Sequence, residues 1–76
     1  NPASSKINVL FDMDEQQTIN YVITDITGKE VKAGTFSNIG SDVYPIEVDN
    51  LLSGMYFITC NFEKGGSVTK KFIIEK

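Results

Sequence analysis

The chain has no histidine, no arginine and no tryptophan, and only one cysteine and two prolines among its 76 residues. Each absence excludes a chemistry. Without His there is no imidazole general base near neutral pH, no His-based catalytic triad and no His-containing zinc site. Cys60, standing alone, closes no internal disulfide and supplies no four-cysteine metal site. Without Arg there is no planar bidentate clamp for phosphate or carboxylate. Seven lysines against ten carboxylates leave a net charge of −3, which a nucleic-acid backbone repels. No apolar run reaches the roughly 18 residues that cross a bilayer as a helix. These absences point away from an enzyme, a cofactor and a nucleic-acid partner.

What remains is a folding composition, 41% hydrophobic and 11% aromatic with 22% charged, in a chain sized for one domain. A domain this small buries only about 60% of its unfolded surface, so its core is thin. Apolar residues alternate at period two and nowhere hold a helical period. Ile7, Val9 and Phe11 form one such set, Ile19, Tyr21 and Ile23 a second, and Tyr44, Ile46 and Val48 a third. Tyr56, Ile58, Cys60 and Phe62 form another, and Val68–Ile74 closes the chain. A mixed segment, Lys29–Phe36, reads as a further strand on an edge.

The connectors agree with that reading. Asp12–Gln17 is too short for a crossover helix, so the first two strands are antiparallel or lie in different sheets. Asp25-Ile26-Thr27-Gly28 fits a type I turn closed by a left-handed Gly, and Gly65-Gly66 suits a second hairpin tip. Asn38–Asp42 reads as a loop, and six strands are clear, with room for a short seventh near Ser37–Asp42. Pro45 restricts its strand to an edge or a bulge. The expected fold is all-β, an immunoglobulin-like antiparallel β-sandwich of six to seven short strands. The opening Asn1-Pro2-Ala3-Ser4-Ser5 lacks Met and reads as a linker remnant (1–5) ahead of the domain (6–76), a module of a longer protein.

Four groups of residues invite a functional reading. Leu51-x-x-Gly54-x-Tyr56 has the form of a corner, in which Leu51 plugs the core, Gly54 takes a backbone shape other residues avoid, and the Tyr56 hydroxyl bonds the turn. Asp12, Asp14 and Glu15 gather oxygens that suit a hard cation, but an EF-hand-type loop needs Gly and Glu where Gln17 and Ile23 stand. A solvated acidic turn is the expectation. Cys60 is in phase with core residues and reads as a small hydrophobe. Charge is also polarised: residues 1–63 hold three lysines and nine carboxylates, net −6, whereas residues 64–76 hold four lysines and one carboxylate, net +3. Lysines on a terminal edge strand protect it from edge-to-edge pairing. The same lysines, with Phe72, Ile73 and Ile74 as apolar anchors, also describe a strand-shaped recognition tail.

Several of these features, in this order, resemble the C-terminal sorting domain of type IX secretion substrates. Asn1-Pro2-Ala3 resembles the Pro-Asn-Pro-Ala entry of that domain, and Ile23–Val31, with Asp25, Gly28 and Lys29, its strand–turn–Gly-Lys hairpin. Ile46-Glu47-Val48 followed by Leu51, Gly54 and Tyr56 resembles its Leu-x-x-Gly-x-Tyr corner. Lys70-Lys71-Phe72-Ile73-Ile74-Glu75-Lys76 resembles its terminal basic-aliphatic strand. The likeness spans the whole chain.

The resemblance implies a signal in folded form, with no catalysis of its own. It implies an N-terminal passenger exported to the periplasm and then delivered to the cell surface or the medium. Its partners would be the outer-membrane translocon, which reads Lys70–Lys76, and a sortase-like cysteine peptidase, which removes the domain. A terminal strand held by one ladder is also open to strand-swapped self-association once the domain is excised. Two other readings compete: a carbohydrate-binding or adhesive accessory sandwich using an exposed aromatic such as Tyr44, and a plain spacer.

Overall fold

In a computed structural model, which describes residues 5–76, the chain forms six strands and no helix. They are β1 (Lys6–Phe11), β2 (Gln17–Asp25), β3 (Glu30–Ile39), β4 (Asp42–Glu47), β5 (Gly54–Phe62) and β6 (Ser67–Ile74). The two central strands form where alternation lets one face be buried. Along β2, Ile19, Tyr21 and Ile23 turn inward, and along β5, Tyr56, Ile58 and Cys60 do so. The residues between them stay partly or fully exposed.

Two sheets face each other in an immunoglobulin-like sandwich. β1 and β4 pair antiparallel as a two-stranded sheet, from Lys6 opposite Glu47 to Phe11 opposite Asp42. The other sheet is four-stranded and antiparallel throughout, in the order β3-β2-β5-β6. The polar Asp12–Gln16 segment therefore carries the chain from one sheet to the other. Pro45 sits opposite Asn8 on a strand with a single partner among the described residues, which is the edge position its missing N–H demands. The core between the sheets centres on Ile19, Ile23, Val48 and Ile74, all essentially inaccessible to solvent. At one end Phe11 packs edge-on to Phe36 and Phe62, and Tyr44 tilts against Phe11 and Phe36.

Two hairpins share one construction. In the first, the Gly28 N–H donates to the Asp25 carbonyl at 3.0 Å and the Asp25 N–H to the Lys29 carbonyl at 3.0 Å. In the second, Gly65 and Phe62 play the same parts, at 2.9 Å, and Phe62 donates to Gly66 at 3.0 Å. Gly28 and Gly65 have φ of 88° and 117°, as the left-handed bulge position requires.

One segment departs from expectation. Ser37–Ile39 is neither loop nor seventh strand; it continues β3, and only Gly40-Ser41 separates β3 from β4. The cause is a bulge. Pairing slips between Gln17–Ile39 and Ile19–Phe36, so β3 carries one more residue than β2 there. Asn38 absorbs it with φ 50°, its N–H bonded to Thr18 Oγ1 at 3.1 Å. Polar Ser37 and Asn38 break the alternation, and so hide the strand from a periodicity reading. The third strand also opens at Glu30 rather than Lys29.

Candidate functional site

The three separated motifs meet at one end of the four-stranded sheet. Asp25, at the end of β2, is the register partner of Tyr56, near the start of β5, and Tyr56 is in turn the partner of Phe72 in β6. Gly54 pairs with Ile74 beside them. The Asp25 hairpin, the Leu51–Tyr56 corner and the terminal strand thus form one contiguous structure.

Asp25 caps its own turn. Its Oδ1 accepts from Thr27 Oγ1 at 2.6 Å, the Thr27 N–H at 2.9 Å and the Lys29 N–H at 3.1 Å. The Thr27 hydroxyl bond, chiefly, holds the carboxyl below its ordinary pKa, opposed by partial desolvation and helped by the two backbone donors and the Lys29 charge.

The corner is built as its spacing predicts. Leu51 is buried, and its N–H closes a turn onto the Val48 carbonyl at 3.0 Å. Gly54 takes a φ of 156°, which side-chain-bearing residues rarely adopt. Tyr56 is buried with its hydroxyl donating to the Leu52 carbonyl at 2.7 Å. Its ring stacks on Phe72, with centroids 5.7 Å apart and planes at 23°. Leu52 itself is 82% exposed beside the corner.

The tail residues separate into anchors and exposed groups. Ile74 is 1% exposed and belongs to this domain's own core, and Phe72 is half-buried against Tyr56. Ile73 faces outward at 43% exposure, beside Met55, its register partner. Lys70, Lys71, Glu75 and Lys76 are exposed. The Lys76 N–H reaches Ser53 Oγ at 3.1 Å and its ammonium bonds the Asp49 carbonyl. Ser53 and Asp49 are contacts that sequence reasoning missed. Ser53 occupies an unspecified place in the corner motif, and a backbone carbonyl such as Asp49's leaves no residue-type signal.

The other candidates fall elsewhere. Glu15 pairs with Lys64 at 2.8 Å, a bond that lowers the Glu15 pKa and raises that of Lys64, and both side chains are solvated. Among the described residues no cluster of three or more possible metal ligands forms. Cys60 is buried, and burial pushes its thiol pKa up, the reverse of an activated nucleophile. Tyr44, read as an exposed aromatic, is half-buried against Phe11 and Phe36, with its hydroxyl donated to the Gly40 carbonyl at 2.8 Å. Asn1-Pro2-Ala3 lies outside the described residues.

The architecture is that of a small β-sandwich whose exposed terminal strand, hairpin and corner form one surface. The chain matches the family model of the secretion system C-terminal sorting domain over residues 1–75, and it belongs to that family. No curated protein and no solved structure matches it.

Proposed function

We infer that the chain is a type IX sorting signal, which addresses an N-terminal passenger to the outer-membrane translocon and is read through the strand Lys70–Lys76. Membership of the sorting-domain family carries the class of function. One observation supports the assignment to the tail: Lys70 and Lys71 stand exposed on an edge strand, while Ile74 and Phe72 fix that strand to the sandwich. An edge strand offers unpaired backbone groups to a partner, and its lysines select for acidic surfaces. On this reading the passenger crosses the periplasm with the domain attached. A sortase-like cysteine peptidase then cuts upstream of the sandwich, and the passenger reaches the surface or the medium.

A reporter tests this. A signal peptide, a fluorescent protein and residues 1–76 are joined and expressed in a type IX-competent host and in the same host lacking the translocon. Delivery to the surface or medium only in the competent host is the expected result, with loss of delivery on changing both Lys70 and Lys71 to Glu. Periplasmic retention in both hosts, with the domain folded, overturns the sorting role. Mass spectrometry of the delivered reporter reads the cut, and an intact domain on every delivered molecule removes the peptidase step.

A further inference from the structure

Two strands lie over four, so the smaller sheet leaves part of the larger one uncovered. The uncovered part is a cleft of about 410 Å³ between β1 and β6, with Ile7 and Val9 on one side, Val68 and Phe72 on the other and Cys60 among its lining. Among the described residues β1 bonds only to β4, which leaves N–H and C=O groups of its edge towards the cleft unpaired within residues 5–76. Along β6, the inward register of residues 68, 70, 72 and 74 loses cover steadily. Ile74 is 1% exposed, Phe72 half-buried and Val68 46% exposed. This register is fixed by its partners, since Val68, Lys70 and Phe72 sit opposite the buried Cys60, Ile58 and Tyr56. Lys70 is therefore an inward-phased cation lining an apolar cleft, and it has no carboxylate partner among the described residues.

We propose that this cleft is an open strand position, filled on recognition by an extended segment of a partner protein that pairs with the free edge of β1. That segment sets apolar side chains on Val68 and Phe72 and a carboxylate against Lys70. The proposal rests on the sorting role and names how the partner engages. Charge selects the occupant. A second copy offering its own β1 brings its β6, with Lys70 and Lys71, against the same two lysines. An acidic-aliphatic strand meets complementary charge and adds backbone bonds to β1.

Alternate faces of one strand separate this mode from other ways of reading the tail. The reporter is delivered with wild-type β6, with inward variants Val68→Glu and Lys70→Glu, and with variants Ser67→Glu and Thr69→Glu on the other face, outside both the cleft lining and the strand Lys70–Lys76. Thermal unfolding of each purified domain verifies folding. Delivery is expected to fall about tenfold or more for the inward pair. It should persist for the outward pair, and Lys70→Arg should restore it. Delivery by folded Lys70→Glu, or loss confined to the outward variants, overturns the strand-addition mode while leaving the sorting role standing. Failure of wild type itself to be delivered counts against the sorting role. Sedimentation of the free domain is expected to show a monomer, and a dimer abolished by Val68→Glu overturns the proposed occupant in favour of a second copy.

Discussion

The ring of Tyr21 lies across Gly34, its register partner on the neighbouring edge strand, in the space where a side chain would begin. A Cβ on Gly34 would stand 2.6 Å from Cε2, Cζ and Oη of that ring. Tyr21 is buried and tilted against Phe36, at 5.4 Å between centroids, so the ring cannot simply swing away. The glycine is required here by a close approach between strands, and a neighbouring aromatic fills the gap it leaves.

Gly34→Ala is accordingly expected to destabilise the domain by about 1–3 kcal/mol, the usual cost of overpacking. Denaturant unfolding measures it. In a Tyr21→Ala background the same change should become neutral or slightly favourable, because only the ring opposes it. An equal penalty in both backgrounds would place the fault in the backbone and sink the explanation.

Tyr56→Phe keeps the stacked ring and removes the hydroxyl bond to the Leu52 carbonyl. The loss should be about 1 kcal/mol, or roughly 4–8 °C in Tm for a domain of this size. The corner should loosen locally, with faster amide exchange at the Leu51 N–H that closes onto Val48. Unchanged Tm together with unchanged exchange there would show that the hydroxyl bond does not hold the turn.

Acid should act through the Asp25 turn. Bonding chiefly from the Thr27 hydroxyl depresses the folded pKa of Asp25, so its contribution is complete above the unfolded value of about 3.9 and is lost as pH falls through the lower folded value. Glu15, lowered by Lys64, works in the same direction. The informative quantity is therefore the difference between wild type and Asp25→Asn. That difference should be largest near neutral pH and shrink progressively below about pH 4. A difference constant from neutral to strongly acid pH would remove the carboxylate from the account.

Much of this structure was legible because the sequence obeys period two wherever a face is buried. The alternation of Ile19, Tyr21 and Ile23 and of Tyr56, Ile58 and Cys60 locates the two central strands, and the glycines at 28 and 65 locate their hairpins. What escaped is non-local. The end of β3 depends on a bulge that Asn38 makes only because Thr18, on another strand, satisfies its N–H. The half-burial of Tyr44 depends on Phe11 and Phe36 arriving from two different sheets. Periodicity along one strand carries no record of how many strands the opposite sheet contains, so the cleft beside β1 was invisible too. For the tail, residue types gave the charge of Lys70 and Lys71, but only the register sets Lys70 opposite the buried Ile58 and Lys71 opposite the less buried Phe57.

That register bears on how the tail should be dissected. Ile74 is among the least exposed side chains in the domain, so removing Lys70–Lys76 takes away a core residue along with the lysines. Lost delivery after such a deletion would report unfolding as readily as lost recognition. Ile74→Ala is expected to cost about 2–5 kcal/mol, a large part of the stability of so small a domain. Removing only Glu75 and Lys76 forfeits the exposed bonds to Ser53 and the Asp49 carbonyl and should cost no more than about 1 kcal/mol. Denaturant unfolding of the two variants side by side measures the contrast. If Ile74→Ala proves as mild as the two-residue truncation, the end of β6 is not anchored in the core. The long deletion would then be a fair probe of recognition after all.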